Sequence, residues 1–180
     1  MWREIQILNG SSLRPARLNS ISYRLEEIYS VPVSIVRAEF NLGAAYDASR
    51  RQNNSTQLLV QILNGNSGAG IKHIGIVDVD LFIPILTFVF GEAQLGGPAA
   101  IVSTHRLSNQ FYGLARDDVL MLQRLEKELV HELGHTFGLY HCHQFECVMR
   151  ASTYVEEIDL KRVYPCSACG TLLKTTRHSG

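Results

Sequence analysis

Residues 131–141 read His131-Glu132-Leu133-Gly134-His135-Thr136-Phe137-Gly138-Leu139-Tyr140-His141, and this stretch decides how the rest of the chain is interpreted. It ends a segment in which apolar residues recur three and four positions apart, which predicts one long helix from Arg116 to about Phe137. Asp117 or Asp118 can cap the start of that helix. The predicted apolar stripe consists of Val119, Leu122, Leu125, Leu129, Leu133 and Phe137.

The histidines of this stretch have the spacing of zinc ligands. His131 and His135 are four positions apart, so on a helix their side chains point only about 40° apart and lie roughly 6 Å apart along the axis. Gly138 can adopt a positive φ, which ends the helix and turns the chain so that His141 reaches the same metal. Three neutral imidazoles leave a fourth zinc position for water, as catalytic sites require.

Glu132 follows the first predicted ligand and can reach the water that zinc binds. Zinc lowers the pKa of this water towards about 7 and polarises a carbonyl oxygen. Glu132 would act as general base on the water and pass the proton to the departing amine, so the pattern predicts hydrolysis of peptide bonds. Gly134 lies inside the helix, where glycine costs about 0.5–1 kcal/mol relative to alanine. Close packing behind the metal would account for that glycine.

All four cysteines lie in the last 40 residues, as two close pairs separated by 18 residues. Four thiolates can complete a tetrahedral zinc site with Zn–S distances of about 2.3 Å and no position for water, which makes such a site structural. Two disulfides or free thiols are the alternatives, and His143 could replace one ligand. The predicted ligands are Cys142, Cys147, Cys166 and Cys169.

The composition limits the classes of protein to which the chain can belong. Its 180 residues carry 17 Lys+Arg and 17 Asp+Glu, and 46% of them are hydrophobic. A nucleic-acid binder needs a basic face, and a disordered chain has fewer apolar residues. The N-terminus does not resemble a signal peptide, and Asp78, Asp80 and Pro84 interrupt the most apolar stretch. We therefore expect a cytoplasmic monomer that binds neither nucleic acid nor membranes.

The order of the histidines, cysteines and one methionine resembles that of the archaemetzincin family of zinc metallopeptidases. Residues 131–141 match the extended metzincin signature, and the four cysteines and Met149 follow in the archaemetzincin order. The resemblance implies two zinc ions, one catalytic and one structural, and peptide or protein substrates. It also implies that Glu132 is the base and that Met149 lies in the turn beneath the metal. The implied ligands of the catalytic zinc are His131, His135 and His141.

The rest of the chain alternates predicted strands and helices, which favours an α+β fold. The resemblance implies its metzincin form, with a twisted mixed β-sheet, packed helices, a long active-site helix and a small C-terminal subdomain with the four-cysteine zinc site. We expect a single catalytic domain, with an upper subdomain over about 1–138 and a lower one over about 139–180. Helices are predicted from Pro15 and over Thr56–Leu63, and a loop over Asn41–Arg51. The predicted strands are Glu4–Leu8, Val33–Val36, Ile74–Val79, Thr87–Phe90 and Ala99–Ser103.

The sequence leaves several alternatives open for the function. Peptide would bind along an edge strand, which either Thr87–Ala93 or Ala99–Ser103 could supply, and the strand order that the resemblance implies favours Thr87–Ala93. Some members of the resembled family are described as aminopeptidases, and the sequence reveals no acidic residue for a substrate amine, so aminopeptidase and endopeptidase both remain possible. A zinc-stabilised interaction module with little hydrolysis is an alternative, although such a module does not need Glu132. A zinc-knuckle nucleic-acid binder is less favoured, because an aromatic platform and an excess of positive charge are lacking.

Overall fold

The computed structural model describes residues 2–65 and 68–176, which form eight strands and six helices. The strands are β1 (Glu4–Asn9), β2 (Val33–Arg37), β3 (Tyr46–Asp47), β4 (Gln52–Asn54), β5 (Ile71–Val77), β6 (Leu81–Phe82), β7 (Gly91–Ala93) and β8 (Ala99–Ser103). The helices are α1 (Asn19–Tyr29), α2 (Leu42–Ala45), α3 (Ser55–Gly65), α4 (Asp118–Thr136), α5 (Val155–Asp159) and α6 (Ser167–Thr176). A 3₁₀ turn over Pro15–Leu18 leads into α1. The predicted α+β class is confirmed.

A five-stranded mixed sheet forms the centre of the molecule, in the order β2-β1-β5-β8-β7. The first four strands of this order are parallel, and β7 pairs with β8 in the antiparallel direction at the edge. A smaller sheet has the order β3-β4-β6. Because side chains alternate along a strand, each central strand of the large sheet contributes to two separate cores.

The two cores lie on opposite faces of the large sheet. On one face, Ile5, Ile7, Ile74 and Ile76 pack with apolar residues of α1 and α4 and of the C-terminal segment. On the other face, residues of α3 pack against strand side chains that point away from the first core, which include Leu8, Val77, Ala99 and Ile101. Helix α4 lies against β7 and β8, so the edge strand runs beside the helix that carries the histidines.

Most predicted elements are confirmed, and α4 begins as expected, because the Asp117 carboxylate accepts the Leu120 N–H at 2.9 Å. The strand predicted over Thr87–Phe90 is wrong. Val89 donates its N–H to Leu81 of the small sheet, and the chain joins the large sheet one residue later, where the Phe90 carbonyl accepts the Ser103 N–H of β8 just before β7 begins at Gly91. The edge strand is therefore shorter than the favoured Thr87–Ala93.

Two further predictions need correction. Residues 41–51 are not a plain loop, because they include the short α2 and strand β3; the Asn41 side chain caps α2 by accepting the Ala44 N–H at 3.1 Å. Val119 does not belong to the buried stripe of α4, since it is 67% exposed in the first turn, before the helix reaches the core. No described helix is long and apolar enough to cross a membrane.

The chain after α4 turns back beneath the helix. Gly138 has φ +91°, as predicted, and its N–H bonds to the carbonyl of His135. Val148 and Met149 are then fully buried in the core that α4 shares. The division into subdomains at about residue 138 stays a prediction, and residues 177–180 of the proposed lower subdomain lie outside the described part of the chain.

Candidate metal centres

The three predicted histidine ligands come together at the C-terminal end of α4. The Nδ1 atom of His131 lies 2.8 Å from the Val148 carbonyl, and that of His135 lies 2.7 Å from the Leu139 carbonyl. Since a carbonyl oxygen only accepts, each Nδ1 carries the proton of its ring and each Nε2 presents a bare lone pair. The ligand nitrogens of His131, His135 and His141 all lie within 4.8 Å of one another.

The donor set fits a zinc ion. The Nε2 atoms of His131 and His135 are 3.1 Å apart with no proton between them, a contact that a shared cation makes favourable. Two nitrogens of a tetrahedral zinc site lie about 3.3 Å apart when each Zn–N distance is about 2.05 Å. Burial lowers the pKa of His131 well below its usual range and also lowers the pKa values of His135 and His141, which favours the neutral ligand form.

Glu132 lies in the cavity that the histidines border, which has a volume of about 420 Å³. Its side chain is buried, and a Cβ atom added to Gly91 of β7 would lie 2.7 Å from Cγ of Glu132. A glycine on the edge strand is therefore what lets this carboxyl approach the sheet. Burial raises the pKa of Glu132 well above its usual range, and the nearby charges of Glu128 and Glu92 add to the rise. A bound divalent cation opposes this rise.

The position of Met149 explains why a glycine occupies position 134 in the helix. A Cβ atom on Gly134 would overlap the Met149 sulfur and lie 2.8 Å from its terminal methyl carbon. Met149 is fully buried, and the carbonyl of the preceding Val148 accepts the Nδ1–H of His131. The expected close packing behind the histidines is thus present, and it connects the helix glycine to the orientation of a candidate ligand.

The four cysteines form a second cluster, in which all sulfurs lie within 4.8 Å of one another. The sulfurs of Cys142 and Cys166 are 3.8 Å apart, far beyond a disulfide bond of about 2.05 Å and equal to the edge of a ZnS₄ tetrahedron, about 3.8 Å. Backbone N–H groups donate to sulfurs of this cluster, among them from Gln144 to Cys142 at 3.4 Å and from Cys166 to Cys147 at 3.2 Å. This donor set also fits zinc, and His143 lies outside both clusters.

The thiols of this cluster differ in acidity. A backbone hydrogen bond from Cys169 lowers the pKa of Cys166 to about 7, which favours its thiolate. Burial raises the pKa of Cys147 and that of Cys169. The neighbouring thiols contribute to the shifts at Cys147, Cys166 and Cys169, and a bound cation would favour the thiolate form of its ligands.

The cavity also contains polar residues that the sequence analysis did not single out. Glu128 and Ser152 line it, and Lys161 lies behind Glu128 with its ammonium 3.8 Å from a carboxylate oxygen. Glu128 could have been recognised, because it precedes Glu132 by four positions on the same helix face. Lys161 carried no such signal, since it reaches α4 only through the fold of the C-terminal segment.

Comparisons with known proteins agree with this architecture. Residues 24–175 match the model of peptidase family M54. An archaemetzincin of Haloquadratum walsbyi is 37% identical over 155 residues, which are 84% of this chain and 88% of that protein. The crystal structure of the Methanopyrus kandleri archaemetzincin superposes with a TM-score of 0.85 and 33% identity, covering 98% of this chain and 96% of the other.

A second solved structure, a zinc-dependent peptidase from Methanocorpusculum labreanum, gives a TM-score of 0.84 with 30% identity over 94% of this chain and 99% of the other. The agreement extends over most of both chains in each comparison and includes the histidine helix and the cysteine cluster within the matched range. The chain therefore belongs to peptidase family M54, the archaemetzincin family of zinc metallopeptidases.

Proposed function

We propose that this chain hydrolyses peptide bonds at a zinc ion held by His131, His135 and His141, with Glu132 as the general base. The observation that carries the proposal is the 3.1 Å approach of two Nε2 lone pairs whose ring protons are engaged by carbonyls on the far side. Such an arrangement needs a cation, and Glu132 lines the same cavity. A purely structural site would have no use for that carboxyl group.

Glu132 carries out the proton transfers of the reaction. When bound, zinc supplies Lewis-acid polarisation of the substrate carbonyl and makes water more acidic. The Glu132 carboxylate takes one proton from the attacking water and delivers it to the departing amine nitrogen, so that water is added across the C–N bond. The short edge strand β7 can pair with the backbone of an extended peptide and so hold the scissile bond beside this carboxylate.

The four cysteines hold a second, structural zinc in this proposal, which gives two zinc ions per chain. The cluster ties α6, which contains Cys169, to the segment that directly follows His141. Reduced thiols are the ligand form, and a cytoplasmic location preserves them. The proposed enzyme acts as a monomer on peptides or proteins, without binding nucleic acid or membranes, and its preferred substrates have free N-termini.

Replacement of Glu132 by Gln distinguishes the proposed peptidase from the alternative, a zinc-stabilised interaction module with little hydrolysis. We expect hydrolysis of a mixed set of fluorogenic peptides to fall by about 10²- to 10⁴-fold, the usual contribution of a general base. The zinc content should stay unchanged. Glu126→Gln is the matched control, because Glu126 lies on the same helix and pairs with Arg24 at 3.5 Å, away from the cavity. Equal rates for wild type and Glu132→Gln would contradict the proposal.

A further inference from the structure

Three buried polar atoms at or beside the metal cavity have no hydrogen-bond partner among the described residues: Glu128 Oε1, Ser152 Oγ and Lys161 Nζ. The Glu128 and Lys161 side chains are 4% and 1% exposed. Buried polar groups are nearly always hydrogen-bonded, and an unmade bond at a buried charge is especially unfavourable. Three of the five such atoms among the described residues lie at this one site, and the other two belong to Arg24 and Gln94. A ligand in the cavity would complete the wall there.

Glu128 is the group that faces this ligand. It lines the cavity together with Glu132 and Ser152, whereas Lys161 does not line it. The ammonium of Lys161 lies 3.8 Å from Glu128 Oε1, too far for a hydrogen bond, so it balances the charge of the carboxylate without occupying its lone pairs. The carboxylate therefore retains its capacity to accept hydrogen bonds on the cavity side.

The ligand that fits an acceptor-only, negatively charged group is a cationic donor. A substrate ammonium offers three N–H donors for the Glu128 carboxylate, and the Ser152 hydroxyl lines the same cavity as a further acceptor. A substrate carboxylate does not fit, because Glu128 stands between the cavity and Lys161. The charges around the site include two further carboxylates, Glu92 and Glu132, which also disfavour an anionic group.

We propose that Glu128 is the binding residue for an ammonium group of the substrate, with Lys161 as the residue that holds its carboxylate in position. The inference rests on the proposed peptidase function and assigns residues of this chain to its preference for free N-termini. Glu128 precedes Glu132 by four helical positions, or about 6 Å along the axis, and an extended peptide spans about 3.3–3.6 Å per residue. A free N-terminus bound at Glu128 therefore lies one or two residues from the bond that Glu132 serves.

Matched substrates test the wild-type enzyme first. A peptide with a free N-terminus should have a kcat/KM roughly 10- to 100-fold higher than its N-acetylated form, the range expected for a hydrogen bond to a charged group. Acetylated peptides with Lys or norleucine before the scissile bond separate the two sources of an ammonium. A rate recovered by Lys alone would assign the subsite to a side chain, and equal rates throughout would overturn the inference.

Variants then identify the residue that is responsible for the preference for free N-termini. Glu128→Gln should hydrolyse free and acetylated substrates with equal kcat/KM, whereas Glu126→Gln on the same helix should keep the wild-type ratio of the two values. The change should occur mainly in KM, and calorimetric titration of the Glu132→Gln protein with both peptides should show the same ratio in binding. If Glu128→Gln does not fold, the double variant Glu128→Gln/Lys161→Met removes both charges and should also lose the ratio.

The outcomes separate this inference from the peptidase proposal. If no peptide of any kind is hydrolysed, the proposed function fails. If peptides are hydrolysed and the ratio survives in Glu128→Gln, only the ammonium subsite is refuted. A uniform loss for free and acetylated peptides would also refute it, because a merely structural ion pair predicts that result.

Discussion

Replacement of Gly134 by Ala should destabilise the protein, although alanine is the better helix former. In a helix interior this change by itself stabilises by about 0.5–1 kcal/mol. The new Cβ atom, however, would overlap the Met149 sulfur and lie 2.8 Å from its methyl carbon, within a fully buried core. Overpacking of this kind costs about 1–3 kcal/mol, so we expect a net loss of about 1–2 kcal/mol.

A double-mutant cycle measures the origin of this loss. In a Met149→Ala background the obstruction is gone, and Gly134→Ala should stabilise by about 0.5–1 kcal/mol, which reverses its sign. Gly170→Ala is the matched control, because Gly170 lies in α6 and an added Cβ meets nothing within 4 Å. It should stabilise wild type by a similar amount. Urea unfolding at a fixed excess of zinc gives all these free energies.

The same substitution should weaken metal binding at the histidines. Displacement of Met149 moves the neighbouring Val148 carbonyl, which orients the His131 ring through its Nδ1–H. Loss of such an orienting contact typically costs 10- to 100-fold in metal affinity. The reasoning is refuted if Gly134→Ala stabilises wild type as much as Gly170→Ala does and leaves zinc affinity unchanged.

Three further predictions concern Lys72, the cysteine cluster and the three histidines. Lys72→Met should cost about 1–3 kcal/mol, because the buried ammonium donates to the Thr136 carbonyl at the end of α4 at 2.6 Å. Burial lowers the pKa of Lys72 from 10.5 to about 7, so the unfolded chain binds more protons between these values and the wild-type unfolding free energy should rise from pH 7 to 10. Lys72→Met should show a smaller rise, of which Lys127 and Lys161 supply the remainder because burial lowers their pKa values as well. Cys166→Ser should lower zinc retention at both clusters, since Cys142 adjoins His141; metal analysis that finds the histidine zinc unchanged would exclude this coupling. In the zinc-free protein, the lowered pKa values of the three histidines favour unfolding below about pH 6.5, whereas the raised pKa of Glu132 acts in the opposite direction. Zinc-free wild type should therefore lose more stability from pH 7.5 to 5 than zinc-free His135→Gln, which keeps Glu132, and parallel profiles of the two proteins in urea titrations would contradict this.

The parts of the fold that the sequence predicts well are those set by local periodicity. The stripe that ends at Phe137 specifies α4 because residues three and four apart share a helix face. The cysteine pairs were recognisable because their spacing is constrained by a common metal. Gly134 was correctly associated with close packing, although its partner became visible only when Met149 was placed beneath the helix.

The sequence-based predictions are wrong or incomplete where contacts between residues far apart in the chain determine the structure. The run Thr87–Phe90 has the residues of a strand, but the hydrogen bond from Val89 to Leu81 assigns it to a different neighbour. Glu128 and Lys161 are 33 positions apart in the chain, and only the turn after α4 brings them together. Pairing of this kind depends on the path of the whole C-terminal segment, which local patterns do not specify.

The most direct test of the zinc mechanism is the zinc content of the purified protein, measured before and after brief mild chelation together with its peptidase activity. The two-site mechanism predicts about two zinc ions per chain falling to about one, because the open histidine site is labile and the closed thiolate site is resistant. Peptide hydrolysis should disappear with the first ion and return when zinc is added back. A single zinc that resists chelation, or activity that persists after the labile zinc is removed, would contradict catalysis at His131, His135 and His141.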